Sequence, residues 1–326
     1  MSLDFGPLLE RARREIDDGF LPSCQLAVAL DGEVVLFETL GDGAPAGNET
    51  RYCVFSATKP LVASAVWLLM AEGRLDPAWK VVEVFPEFGA NGKDVVTIEQ
   101  VMLHTSGFPH APMSVDVAMD PAARVERMAS WRLNWEPGSR FEYHATSAHW
   151  VLAELVTRAS GVDFRDFIDE RITMPLGLPR LLGPTGTAAV DGIAELIGVG
   201  EAPAELPFDM GEVTEENLLR FNEPAVRTLG VPGGGAVCTA ADMVRFYQAL
   251  LHNPDGLWDD DILRDATTNV RNTFPDPWVN VPANRTLGLV VCGDDGRGSM
   301  RQVPFGKTNS PGAFGHGGAH GQVAWA

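Results

Sequence analysis

The stretch Ser56-Ala57-Thr58-Lys59 decides how this sequence is interpreted. The residues after it have a helical pattern, and Pro60 is tolerated only in the first turn of a helix, where its missing N–H costs nothing. Ser56 is therefore expected at a helix N-terminus, with Lys59 one turn later on the same face. A serine hydroxyl becomes nucleophilic when a neighbouring base takes its proton, and a lysine buried among apolar residues has a lowered pKa that suits this task. The alternative is a capping serine and a surface lysine.

A turn further along the chain, Glu136-Pro137-Gly138-Ser139-Arg140-Phe141-Glu142-Tyr143, places Tyr143 just ahead of a predicted helix. A tyrosine held beside a lysine is easier to ionise and could relay a proton between Ser56 and a leaving group. The alternative is a core aromatic residue whose hydroxyl has a hydrogen-bond partner.

The segment Phe314-Gly315-His316-Gly317-Gly318-Ala319-His320-Gly321 is rich in glycine near the end of the chain. Glycine weakens a strand, and its usual justification there is the close approach of another backbone or of a ligand. The segment therefore predicts a strand edge that binds substrate. Metal binding by His316 and His320 is the alternative, but no Asp or Glu stands nearby to complete a site. We expect neither a metal nor a cofactor.

The rest of the chain predicts a fold of the α/β class, of the α+β type. Residues 3–20 have the pattern of a surface helix, and two strand-like runs, Cys24–Leu30 and Glu33–Leu40, are joined by the hairpin signal Asp31-Gly32. Further strand-like runs occur only at 286–292 and 321–326. We predict an antiparallel sheet region, formed by 1–54 and 286–326 and flanked by the N-terminal helix. A mostly helical region would span 55–285, with the active site between the two. Its helical patterns lie at 98–104, 122–128, 147–160, 164–173 and 240–251.

Composition excludes several classes of partner. The 326 residues are 45% hydrophobic and 21% charged, and the formal net charge is −19. Such a charge repels phosphate backbones and anionic lipid surfaces, so nucleic acid and membrane surfaces are not expected partners. The charged N-terminal segment lacks the apolar stretch of a secretory signal, and no run of about 18 apolar residues occurs. A cytoplasmic location is expected; the sequence gives no prediction of oligomeric state.

The order of these segments resembles the serine β-lactamase and penicillin-binding superfamily, and most closely the class C β-lactamases and the esterases of the same fold. The resemblance implies that Ser56 is the nucleophile, Lys59 and Tyr143 the base and proton relay, and the backbone N–H groups of Ser56 and Ala319 the oxyanion hole. Three further stretches match in order: Leu103-His104-Thr105-Ser106-Gly107-Phe108, Pro137-Gly138-Ser139-Arg140-Phe141-Glu142-Tyr143 and Gly233-Gly234-Gly235-Ala236-Val237-Cys238-Thr239-Ala240-Ala241-Asp242.

The chain departs from the family pattern in three places. Tyr143-His144-Ala145 replaces Tyr-x-Asn, which removes an amide that would contact substrate and leaves His144 as a candidate contact. His316-Gly317-Gly318 replaces Lys-Thr-Gly, so a permanent cation gives way to a group that is mostly neutral near pH 7. The third departure is at Ala326, where the sequence ends before the final strands and helix that the resembling fold would have. We expect a sheet without those members.

These features predict a serine hydrolase that cleaves small carboxylic esters through an acyl-Ser56 intermediate. Two alternatives stay open: hydrolysis of β-lactams or amides, or acyl transfer, on the same fold; and a ligand-binding protein that has lost turnover. The predicted substrate-binding residues are Ser56, Ala319, His316, Gly317, Gly318 and His144.

Overall fold

The N-terminal part of the chain folds as its pattern predicts. The computed structural model describes residues 3–200, 211–294 and 305–326. Helix α1 (Gly6–Asp17) precedes strands β1 (Cys24–Leu30) and β2 (Glu33–Leu40), which pair antiparallel. At the turn between the strands, Asp31 and Gly32 have positive φ angles of 50° and 87°. Two positive φ values are what a two-residue hairpin turn with the twist of a sheet requires.

A buried helix forms the centre of the fold and positions the residues discussed below. Helix α2 (Lys59–Ala71) is buried at every position from its first residue to Leu69. It packs against α6 (Ser147–Ser160), α7 (Phe164–Ile168) and α11 (Asp260–Thr268). Because α2 is apolar on all sides after Lys59, it needs neighbours on all sides, and the helical region supplies them.

The helical patterns predicted between 55 and 285 correspond to helices of the structure. The helix predicted over 147–160 has these same bounds, whereas the pattern at 164–173 divides into α7 and a π-helical turn, Asp169–Thr173. The remaining helices are α3 (Ile98–Met102), α4 (Val115–Ala118), α5 (Pro121–Ser130), α8 (Glu215–Leu219), α9 (Pro224–Leu229) and α10 (Ala240–His252).

Short strands complete the fold, and they form separate small antiparallel sheets. Strand β3 (Tyr52–Cys53) pairs with β4 (Val237–Cys238), and β5 (Pro275–Asp276) pairs with β6 (Val281–Pro282). A three-stranded sheet has the order β7 (Val290–Val291), β8 (Phe314–Gly317), β9 (Val323–Trp325).

One prediction about the sheet is wrong for the described residues. The two ends of the chain were expected to share one antiparallel sheet, but β1–β2 and β7–β9 are not hydrogen-bonded to each other. Strand β9 pairs with β8 on one side, and the contact between the two sheets is made through α10, which packs against β1, β2 and β9. The division into 1–54 with 286–326 and 55–285 stays a prediction.

None of the helices in the described part of the chain has the length and apolar character that a bilayer crossing requires. The cytoplasmic location stays a prediction.

Candidate active site

Ser56 lies in a tight turn that the β3–β4 pairing fixes in place. Strand β3 leads into a 3-10 turn, Phe55–Thr58, which continues directly into α2. Residue 236 holds the turn at both ends: the Val54 N–H donates to its carbonyl at 3.0 Å, and its own N–H donates to Thr58 Oγ1 at 3.0 Å. Phe55 has a φ of +45°, a left-handed conformation that a bulky side chain rarely adopts. Ser56 therefore follows a strained residue and begins a helical segment, as predicted.

The amine of Lys59 is buried and contacts the Ser56 hydroxyl. Its Nζ lies 3.1 Å from Ser56 Oγ, and it also lies 2.8 Å from the Ala145 carbonyl oxygen and 2.7 Å from that of Gly233. The side chain is 0% exposed. A neutral amine has two N–H groups and one lone pair, so the two carbonyls can accept both hydrogens while the lone pair points to the serine.

Burial lowers the pKa of the Lys59 ammonium well below its ordinary value, and the positive charge of Arg285 lowers it further. Both causes act in the same direction. Burial removes the water that stabilises the charged ammonium, and the positive charge of Arg285 repels it. A neutral Lys59 near pH 7 is the state that could accept a proton from Ser56.

Tyr143 joins the same cluster from the turn before α6. The Lys59 Nζ lies 5.2 Å from the centroid of its ring. Burial raises the pKa of the Tyr143 phenol to about 12, although Arg285 and the nearby Ser56 hydroxyl partly oppose the rise. The phenol oxygen makes no hydrogen bond of ordinary geometry with a described residue. The structure thus brings Ser56, Lys59 and Tyr143 together, but the phenol is harder to ionise than the sequence indicated, because burial outweighs its cationic neighbours.

His144 does not lie where the sequence placed it. Its Nδ1 lies 2.6 Å from the Glu142 carbonyl oxygen, and its Nε2 lies 3.1 Å from both Ser106 Oγ and the Phe108 backbone N. Burial lowers the pKa of His144 to about 3. The ring is neutral, fully buried and occupied by protein atoms on both nitrogens, so it joins the loop at 104–108 to the turn before α6 instead of contacting substrate.

The glycine segment at the end of the chain packs against the turn that carries Ser56. A Cβ atom on Gly318 would lie 2.3 Å from the Val54 carbonyl oxygen and 2.8 Å from Gln322 Cβ. Only glycine allows this approach. The next residue, Ala319, lines the same cavity as Ser56. Of the terminal residues predicted to bind substrate, Ala319 is in the described cavity wall, whereas His316, Gly317 and Gly318 lie outside it.

His316 contacts Arg285, a residue that no sequence pattern marks. Arg285 Nη1 lies 3.1 Å from His316 Nε2, and His316 Nδ1 lies 2.6 Å from the Gly317 carbonyl oxygen. Since the guanidinium donates to Nε2, the ring is neutral with its hydrogen on Nδ1. These contacts leave His316 no free nitrogen for a metal, and His320 lies in a separate exposed turn after β8. In the described ranges no group of three potential ligands is placed to hold a metal ion.

A cavity opens beside Ser56 and encloses about 680 Å³, space open to solvent included. Gly233 and Gly234 form part of its wall, and Glu212 is the only acidic or basic side chain among the described residues that line it. Its apolar wall is formed by Met113, Val115, Trp150, Leu218, Phe221 and Val231.

Three contributors to this site could not be selected from the sequence by chemistry alone. Arg285 and Glu212 stand in no recognisable pattern, and Gly233 acts through its carbonyl, which every residue has. The run Gly233-Gly234-Gly235 was a signal for tight packing, since a Cβ on Gly233 would lie 3.2 Å from Lys59 Nζ.

The fold and the site together define a class of protein. A serine stands at the start of a buried helix, a lysine follows three residues later, and a glycine strand lies beside them. On this arrangement of helices and small sheets, these features define the fold of the serine β-lactamases and penicillin-binding proteins. A solved structure of a penicillin-binding protein homologue from Caulobacter crescentus superimposes with a TM-score of 0.77 at 26% identity, covering 96% of this chain and 85% of the other. The family model described as Beta-lactamase matches residues 9–326. The chain belongs to that family.

Two characterised relatives are similar over most of the chain. The esterase/β-lactamase LipL of Mycobacterium tuberculosis is 28% identical over 330 residues, which cover 92% of this chain and 73% of that protein. Esterase EstB of Burkholderia gladioli is 28% identical over 291 residues, which cover 78% of this chain and 72% of that protein. The match of the family model to residues 9–326 confirms the predicted family, and both relatives agree with it.

Proposed function

We propose that this protein is a serine esterase that cleaves small carboxylic esters through an acyl-Ser56 intermediate. The observation that carries the proposal is the environment of the Lys59 amine, which is fully buried, 3.1 Å from Ser56 Oγ, and held by two backbone carbonyls. The two carbonyls take up two of the three hydrogen-bonding positions of the amine nitrogen. The third position faces the hydroxyl of Ser56 beside a cavity, and a purely structural lysine would not need that contact.

In the acylation step, Ser56 Oγ attacks the ester carbonyl carbon while Lys59 accepts its proton. The carbonyl oxygen becomes an oxyanion, and the backbone N–H groups of Ser56 and Ala319 are the proposed donors to it. The N-terminal end of the helical segment adds positive potential at that point. The Gly318 contact with the 54–57 turn supports this assignment because it holds residue 319 beside the nucleophile.

The proton on Lys59 then passes to the departing alkoxide through the Tyr143 hydroxyl. With a pKa near 12, the phenol stays protonated at neutral pH, so it serves as a donor that is refilled from Lys59. In deacylation, water attacks the acyl carbon, Lys59 again takes the proton, and Ser56 leaves with it. Each proton that leaves the nucleophile returns to a product or to Ser56, so the cycle is balanced.

Esters are favoured over β-lactams for two reasons in this chain. The polar contact of Ala145 in the site is its backbone carbonyl, which accepts a hydrogen bond from Lys59. Its side chain has no amide that could bind an amide group of the substrate. His316 is neutral, so the β8 segment gives no ion pair to the carboxylate of a β-lactam. The name of EstB describes an esterase alone and supports the same choice, whereas the name of LipL describes both activities.

Hydrolysis of p-nitrophenyl acetate, together with labelling by a fluorophosphonate probe and peptide mass spectrometry, tests the proposal. We expect hydrolysis, a label on the peptide that contains Ser56, and loss of both in Ser56→Ala. A protein that binds ligand without turnover would give neither hydrolysis nor label. A label on another serine, or full hydrolysis by Ser56→Ala, would show that the nucleophile is wrongly assigned.

A further inference from the structure

A single carboxylate stands in the apolar wall of the cavity beside Ser56. Glu212 lines the cavity together with the apolar residues Met113 and Val213. Its Oε2 accepts a hydrogen bond from the Met113 backbone N–H at 2.6 Å, which fixes the side chain in the wall. No described residue donates to its other oxygen, and none of the salt bridges in the described ranges includes Glu212.

The charge of this carboxylate is incompletely compensated. Burial raises the pKa of Glu212, and this effect exceeds the opposing effects of the Met113 N–H and the more distant Arg127. The ten residues at 201–210, which precede this segment, include no lysine or arginine. A carboxylate that is partly removed from water without a paired cation loses part of its hydration, and a cationic ligand would offset that cost.

We infer that the cavity binds substrates that carry a cationic ammonium group, with Glu212 as the residue that selects for it. This inference rests on the proposed esterase function and names the substrate class of the same site. Ser56 would act on the ester carbonyl at one end of the cavity, while an amine elsewhere in the substrate pairs with the carboxylate.

Two further features favour a cation here. Phe221 lines the same cavity, and aromatic faces attract ammonium groups. The net charge of −19 gives the whole molecule a field that draws cations toward it. An anionic substrate would meet repulsion from both Glu212 and that field.

Competitive inhibition of p-nitrophenyl acetate hydrolysis tests this inference. The p-nitrophenyl group of the substrate and the benzyl group of each competitor are similar in size, so a competitor bound in the cavity excludes the substrate. Benzylammonium and benzyl alcohol have nearly the same shape and differ in charge. For the unaltered protein we expect benzylammonium to bind more tightly by about tenfold, the size of one charge-assisted hydrogen bond. In Glu212→Gln the ratio of the two inhibition constants should fall to about one, since the amide keeps the shape and loses the charge.

The matched control is Glu216→Gln, which makes the same charge change at an exposed position of α8 and should keep the tenfold preference. Equal inhibition by both compounds in the unaltered protein, or a preference that survives Glu212→Gln, would overturn the inference while leaving the esterase proposal in place. Failure to hydrolyse p-nitrophenyl acetate at all would instead refute the esterase proposal. The two failures are therefore distinguishable.

Discussion

The guanidinium of Arg285 lies over the ring of Tyr143, with its central carbon 5.3 Å from the ring centroid. The same side chain donates to His316 and lowers the pKa of both Lys59 and Tyr143. A permanent cation therefore stands next to the two proton-transfer groups, although the strand position where the family has lysine carries a histidine. Arg285 acts through its neighbours, and we regard it as a positioning and electrostatic residue.

Replacing this cation should move the pH dependence of catalysis. A positive charge disfavours protonation of Lys59, so its removal in Arg285→Met raises the pKa of that amine. The base then needs a higher pH to be neutral, and the acidic limb of the kcat/KM profile for p-nitrophenyl acetate should shift upward by about one pH unit. Arg285→Lys keeps the charge and should restore most of the original position.

The control for this experiment is Arg271→Met, which removes a cation that pairs with Glu99 and Asp265 away from the cavity. In Arg271→Met the acidic limb of the kcat/KM profile should lie at the same pH as in the unaltered protein. If Arg285→Met shows an unchanged limb while circular dichroism confirms that it is folded, Arg285 does not tune the base.

The proposed base predicts an activity loss that a structural lysine would not produce. Lys59→Met should lower kcat/KM by about a thousandfold or more, and Lys59→Arg should not restore it because guanidinium does not give up its proton. Ser56→Ala with Lys59→Met should be no slower than either single variant, since residues that act as one unit are not additive.

Lys93 offers a matched control for that loss. Its Nζ is buried and lies within hydrogen-bond distance of three carbonyl oxygens, those of Ala90, Ala129 and Trp131, but of no serine among the described residues. Lys93→Met should lower stability in a denaturant titration while kcat/KM per folded molecule stays near that of the unaltered protein. Similar kinetic losses in both lysine variants would show that the effect of Lys59 is structural.

The sequence predicted the parts of this site that depend on short-range spacing. Ser56 and Lys59 lie on one helical face, the hairpin of β1 and β2 has the predicted bounds, and α6 begins and ends as predicted. Each of these follows from residues a few positions apart, where helical and strand periodicity and turn chemistry decide the conformation.

Features set by distant contacts were missed or misplaced. The contact of Arg285 with Tyr143 joins remote parts of the chain, and no local pattern marks the arginine. His144 follows Tyr143 directly and was assigned to substrate, but backbone groups at 108 and 142 hold its ring. The shared sheet was also wrong: β1–β2 and β7–β9 are separate sheets that both contact α10, and the alternation of residues within a strand does not indicate its partner.

The close contact at Gly318 predicts a catalytic defect from a single added methyl group. In Gly318→Ala the new Cβ would overlap the Val54 carbonyl oxygen, so the backbone at 318–319 must move away from the Ser56 turn. The loss of one well-placed oxyanion donor typically costs about a hundredfold or more in kcat. We expect a fall in kcat of p-nitrophenyl acetate hydrolysis that is larger than any change in KM.

A glycine without such a contact provides the comparison. A Cβ on Gly312 would meet only Ser310 Oγ at 3.7 Å, an ordinary separation, and Gly312 does not have a positive φ. Gly312→Ala should therefore keep its kcat. Full activity in Gly318→Ala would show that residue 319 does not need its present position for catalysis.

A buried histidine beside Lys59 predicts how stability depends on pH. His149 is buried in α6, and neither ring nitrogen makes a hydrogen bond of ordinary geometry with a described residue. Burial lowers the pKa of His149 well below its ordinary value, and Lys59 and His316 lower it further, while the Lys59 backbone carbonyl opposes the shift. On acidification the unfolded chain binds a proton here before the folded protein does. The stability contributed by this neutral ring is therefore complete above pH 6.5 and is lost progressively as the pH falls below it.

The variant His149→Leu removes this proton linkage. Between pH 7 and pH 5 the free energy of unfolding, measured by urea titration, should fall by about 2 kcal/mol less in the variant than in the unaltered protein. His252→Leu, which alters an exposed histidine at the end of α10, should show the same fall as the unaltered protein. An identical fall in all three proteins would mean that His149 takes up its proton equally well in the folded and unfolded states. The surroundings of Lys59 would then destabilise a positive charge less than their burial indicates.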